Sequence, residues 1–94
     1  MMKPSAYLIN TARGAIIDES ALIDALRSNT IAGAALDVQT VEPPSADNEL
    51  YTMQNVILTP HIGWKKVETR QRLVETVGEN IKRFRSGVPV NIVS

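Results

Sequence analysis

Four side chains in this 94-residue sequence could do chemistry together, on the segments where three buried runs give way to turns: Arg13, Asp37 with Glu42 shortly after it, and His61. A guanidinium keeps its charge and offers a planar fork suited to a carboxylate. An imidazole can give and take a proton near neutrality, and a neighbouring carboxylate favours its charged form. One fixed cation, two carboxylates and one imidazole on a shared rim would suit the reduction of a carbonyl. Each residue also has a plain structural reading. Arg13 before Gly14 can be a turn residue, Asp37 a cap, Glu42 a solvated charge, and His61 a satisfied rim histidine.

The elements that must position these residues can be read from the pattern of apolar side chains. Residues 6–12, Ala-Tyr-Leu-Ile-Asn-Thr-Ala, form a short run between Lys3-Pro4 and Arg13-Gly14 that suits a buried strand. Asp18 reads as a helix N-cap with Ile17 stapled onto Leu22. Leu22, Ile23 and Leu26 then recur at helical spacing as far as Asn29, a left-handed stop. Residues 31–36, Ile-Ala-Gly-Ala-Ala-Leu, make a second buried run whose small residues imply close approach of a helix or a ligand. A long polar connection from Gln39 to Asn55 contains Pro43-Pro44. Residues 56–59 give a third strand stopped by Pro60. From residue 65 to 86, Val67, Val74, Val77, Ile81 and Phe84 mark one stripe of a final helix capped by Gly87, with Lys82, Arg83 and Arg85 at its negative end.

Strand, helix, strand, loop, strand, helix is the order of an α/β fold with a parallel sheet and right-handed crossovers. In such sheets ligands lie beyond the carboxyl ends of the strands, and residues 10–14, 37–42 and 59–64 all fall there.

Three motifs in order, Asn10-Thr-Ala-Arg-Gly14 with Ile17-Asp-Glu19, Gly33-Ala-Ala-Leu-Asp-Val38 with Glu42-Pro-Pro44, and Leu58-Thr-Pro-His-Ile-Gly63, resemble the NAD-dependent D-isomer-specific 2-hydroxyacid dehydrogenases. The resemblance runs through nearly the whole chain. Trp64 and residues 70–74 are most similar to the glycerate dehydrogenase, or hydroxypyruvate reductase, branch. It implies the carboxyl-terminal half of a Rossmann-like domain, spanning residues 1–94, and three catalytic residues: Arg13 on the carboxylate and carbonyl of a 2-oxoacid, His61 as the proton donor, and Glu42 as its partner. It further implies cofactor contacts from Thr11, Ala12, Arg13, Asp37, His61 and Gly63, with Asp37 accepting from the nicotinamide carboxamide. The cofactor implied is NAD, with NADP left open.

The five glycines are too far apart to form G-x-G-x-x-G, so the pyrophosphate cradle is missing from these residues, as is the substrate domain. The chain therefore reads as a fragment, inactive in isolation; a non-catalytic oligomerisation or interaction module is the alternative. Its first strand would be an edge that seeks a partner, so a homo-oligomer is expected. Ten Lys+Arg against ten Asp+Glu leave no basic excess for nucleic acid. The longest apolar run is too short for a membrane span, and with no cysteine and one histidine neither a disulfide framework nor a Cys/His zinc site can form. A cytoplasmic setting fits that composition.

Overall fold

The computed structural model describes residues 2–93. The chain divides into two compact units, Met1–Gly63 and Trp64–Ser94.

The first unit is a three-stranded parallel sheet in the order β1 (Tyr7–Asn10), β2 (Gly33–Leu36), β3 (Val56–Leu58). Tyr7 is level with Gly33, Asn10 with Leu36, and Leu36 with Leu58, so all three strands end at the same rim. Helix α1 (Glu19–Arg27) joins β1 to β2. The Asp18 side chain accepts from the Ala21 N–H at 3.1 Å, making it the N-cap, and Asn29 has φ +54 just past the end.

Strand periodicity places alternate residues on opposite faces. On one face Ala34 and Leu36 form a core with Leu22 and Leu26 of α1, Ile31 and Leu50, and Leu8, Ile17, Val56 and Leu58 pack around it. On the other face Tyr7, Ile9 and Ile57 are exposed. The first strand is thus buried on one side only, where the sequence pattern suggested burial throughout.

The strands are also shorter than their apolar runs. Strand β1 stops at Asn10 because that buried side chain turns the backbone: its Nδ2 donates to the Arg13 carbonyl at 2.9 Å and its Oδ1 accepts from the Ala12 N–H at 3.1 Å. Thr11 and Ala12 therefore belong to the rim. At Gly33 the close approach comes from the Asn55 carbonyl and the Tyr7 ring, 2.5 and 3.1 Å from where a Cβ would stand. A neighbouring backbone and an aromatic ring fill the place assigned to a helix or ligand.

Two short 3-10 turns were not legible in the sequence, Gly14–Ile16 and Glu49–Thr52. The second lies inside the long connection and carries Leu50, 1% exposed, into the core.

The second unit is built on α2 (Val67–Arg85), within two residues of the expected helix. Lys82, Arg83 and Arg85 occupy its last turn, and Gly87 follows at φ +77 with its N–H on the Phe84 carbonyl at 3.1 Å. Its stripe of Val67, Val74, Val77, Ile81 and Phe84 is exposed. The Arg70 guanidinium lies 5.7 Å from the centre of the Trp64 ring. No helix among the described residues is long and apolar enough to cross a membrane.

Candidate active site

The rim brings the sequence candidates together on the segments that leave the three strands. Backbone bonds hold those segments level: the Asp37 N–H donates to the Asn10 carbonyl at 2.9 Å and the Thr59 N–H to the Leu36 carbonyl at 3.0 Å.

His61 and Glu42 meet directly, with Nδ1 2.7 Å from Oε2. The other Glu42 oxygen, Oε1, accepts from the Gln39 N–H at 2.9 Å. The His61 contact foremost, then the Gln39 N–H, holds the Glu42 carboxyl below its ordinary pKa, and the Arg13 charge adds a smaller pull in the same direction. An ionised carboxylate only accepts hydrogen bonds, so the proton of this pair sits on Nδ1, leaving Nε2 as the nitrogen for an outside partner. The pair is partly exposed, about one-third for each side chain (36% and 37%). Beside it lies a hollow of about 150 Å³ lined by Gln39, Glu42, Pro43, Pro44, Thr59, Pro60 and His61. The Glu42-Pro43 peptide on its wall is cis.

Arg13 is exposed, with Nη1 on the Ala12 carbonyl at 2.8 Å. Thr11 and Ala12 are exposed beside it. Gly14 is needed to place this turn: a Cβ there would lie 2.0 Å from the Gln39 carbonyl carbon and 2.4 Å from the Thr40 N, both backbone atoms.

Asp37 is nearly buried at 8% exposure. Oδ1 accepts from the Thr59 hydroxyl and from the Ile62 N–H at 2.9 Å, and Oδ2 accepts from the Gly63 N–H at 2.8 Å. The Thr59 hydroxyl above all, then the two N–H groups, holds its carboxyl below the ordinary carboxylate pKa. Sequence reasoning named Asp37 and Gly63 as separate cofactor contacts and overlooked this bond between them. It placed Thr59 and Gln39 on the rim but gave neither a role, since their types carry no signal of their own.

For a nicotinamide carboxamide the residues present fit in one respect. A carboxylate offers about four acceptor positions, of which the protein fills three at Asp37, so one on Oδ2 is left for an amide N–H.

A parallel α/β sheet with an arginine, a carboxylate pair and an imidazole at its carboxyl rim is the architecture of a nucleotide-cofactor domain. The sequence pattern of the D-isomer specific 2-hydroxyacid dehydrogenases, NAD binding domain, matches residues 1–63, and the chain belongs to that family. The glycerate dehydrogenase of Methylorubrum extorquens is 46% identical over 94 residues, covering 98% of this chain and 30% of that protein. The glyoxylate reductase of Thermococcus litoralis is 47% identical over 95 residues, covering 100% of this chain and 28% of that protein. Among solved structures, an acyclic imino acid reductase in complex with NADPH and D-arginine superposes with TM-score 0.74 at 42% identity, over 99% of this chain and 29% of that one. The chain thus spans a little under one-third of the length of such relatives.

Proposed function

We propose that this chain supplies the acid–base part, and the nicotinamide end of the cofactor site, of an oxidoreductase that reduces a 2-oxoacid such as hydroxypyruvate or glyoxylate to the D-2-hydroxyacid. The observation that carries the reading is the His61 Nδ1 to Glu42 Oε2 pair at 2.7 Å, set on the rim whose first turn bears Arg13. NAD, or NADP in its place, supplies the hydride when bound.

The residues of this chain do the rest. Arg13 binds the substrate carboxylate and its reacting carbonyl, where its fixed charge also stabilises the oxyanion that develops. Nε2 of His61 gives its proton to the carbonyl oxygen, and in the oxidative direction takes it back. Glu42 holds the ring by Nδ1 through both protonation states, so the transfer needs no reorientation. Thr11, Ala12, Arg13, Asp37, His61 and Gly63 face the nicotinamide end, with Asp37 Oδ2 as the carboxamide acceptor. These 94 residues contain no glycine-rich phosphate cradle, so by themselves they do not turn over.

The test is a transplant of the 94 residues in place of their counterparts in the Methylorubrum glycerate dehydrogenase. Oxidation of NADH, and separately of NADPH, is followed with hydroxypyruvate and glyoxylate. The expected result is turnover, with His61→Ala lowering kcat by about 100- to 10,000-fold while cofactor affinity changes little. A folded, NADH-binding chimera that reduces neither acid would overturn the reading.

A second reading rests on a different observation. Among the described residues β1 pairs only with β2, and Tyr7 and Ile9 on it are 70% and 72% exposed. A strand paired on one edge only, beside an open apolar face, favours a homo-oligomer joined through its free edge.

A further inference from the structure

The loop that bears His61 is held from both sides by one carboxylate. Thr59 lies two residues before the histidine, and Ile62 and Gly63 directly after it, and all three donate to Asp37 from the end of β2. Between these anchors His61 sits at φ +53, the left-handed region that costs a side-chain-bearing residue free energy, with its N–H on the Thr59 carbonyl at 3.0 Å. A backbone held there relaxes unless its surroundings fix it. Glu42 reaches only the ring, at Nδ1, and leaves the backbone free to shift. Gly63 completes the arrangement. A Cβ on it would stand 3.0 Å from Asp37 Oδ2, too tight without a shift of a few tenths of an ångström, so glycine is what lets the carboxylate close on that N–H.

We propose that Asp37 is a positioning residue for His61, a three-point carboxylate clamp that keeps the 59–63 turn in its left-handed form and so sets where Nε2 points. Its catalytic consequence rests on the reading of His61 as proton donor; the clamp itself does not. Asp37 is then already engaged before any cofactor arrives. A carboxamide N–H at its last acceptor position adds a fourth bond to a formed clamp, joining cofactor binding and proton-donor placement at one side chain. A carboxylate is required because all three partners are donors. Asparagine would set an amide N–H against one of them and lose at least that bond.

The experiment has two arms. Amide hydrogen exchange of Ile62 and Gly63 is read by NMR in the 94-residue chain without cofactor. Both amides are expected to be protected, and Asp37→Asn to speed their exchange at least tenfold while the α1 amides change little. Thr59→Val and Gly63→Ala, which keep the carboxylate, are expected to change exchange in the same direction by less. In the chimeric enzyme Asp37→Asn is expected to lower kcat by about 10- to 100-fold at saturating NADH, as a misplaced donor does, in addition to any rise in the KM for NADH. Unprotected amides in the parent chain, or exchange unchanged by Asp37→Asn, overturns the clamp. A rise in KM alone, with kcat intact, overturns the positioning role and leaves Asp37 as a cofactor acceptor only. Protected amides in the 94-residue chain beside a chimera that transfers no hydride would show failure of the functional reading while the clamp stood.

Discussion

At the scale of single residues, types that matter to chemistry were visible from the order of motifs, whereas their engagements were not. Arg13, Asp37 and His61 stand out because each follows an apolar run at a turn, and Glu42 because it comes five residues after Asp37 ahead of Pro43-Pro44. The donors to Asp37 come from 22 to 26 residues further along the chain, and no local pattern announces them. Both carboxylates lie below their ordinary pKa, which fixes the sign of their effect on stability. Each contributes fully above its unfolded value, about 3.9 for Asp and 4.3 for Glu, and the contribution is lost as pH falls through the lowered folded value. Denaturant midpoints measured from pH 5 downward should therefore fall more steeply in the parent chain than in Asp37→Asn, whose midpoint is lower at pH 5 and converges on the parent in acid. Gly14→Ala belongs to the same scale. Its Cβ would overlap the Gln39–Thr40 backbone, so urea unfolding should show a loss of about 3 kcal/mol, with Arg13 displaced.

At the scale of elements, the cap at Asp18, the left-handed stop at Asn29 and the cap at Gly87 were legible because capping chemistry is local. Strand ends were less so, since the Asn10 side chain and not hydrophobicity decides where β1 stops. Within the 39–55 connection, Asn48 caps a single turn, its Oδ1 accepting from the Leu50 N–H at 2.9 Å, and Leu50 enters the core. One leucine in a polar segment has no periodicity to reveal it. Its burial predicts that Leu50→Ala costs about 2–5 kcal/mol, as much as Leu26→Ala in α1 itself, measured as a shift in urea midpoint.

At the scale of the whole molecule, parallel order was legible from the alternation of elements, but which faces are covered was not. The sheet is closed by α1 and Leu50 on one face and bears Tyr7, Ile9 and Ile57 in the open on the other. An open face beside an edge strand that, among the described residues, pairs only with β2 should make the 94-residue chain associate. The mass from light scattering is expected to rise with concentration, and Tm with it. Ile9→Lys should lower both effects by putting charge on the open face. A monomer mass unchanged to high concentration would remove the oligomer reading.

The contact of Gly14 with the Gln39–Thr40 backbone matters to anyone who would re-engineer the rim. The segment it touches is held also by Glu19, which accepts from the Thr40 N–H at 3.4 Å, and by Glu42 on the Gln39 N–H. The Arg13 turn and Glu42, the partner of His61, share one stiff bracket, so a residue inserted or deleted between Gln39 and Glu42 would shift the carboxylate against both. Variation that seeks a new substrate preference is better confined to outward side chains such as Thr40 and Val41, where shape can change while the bracket keeps its length.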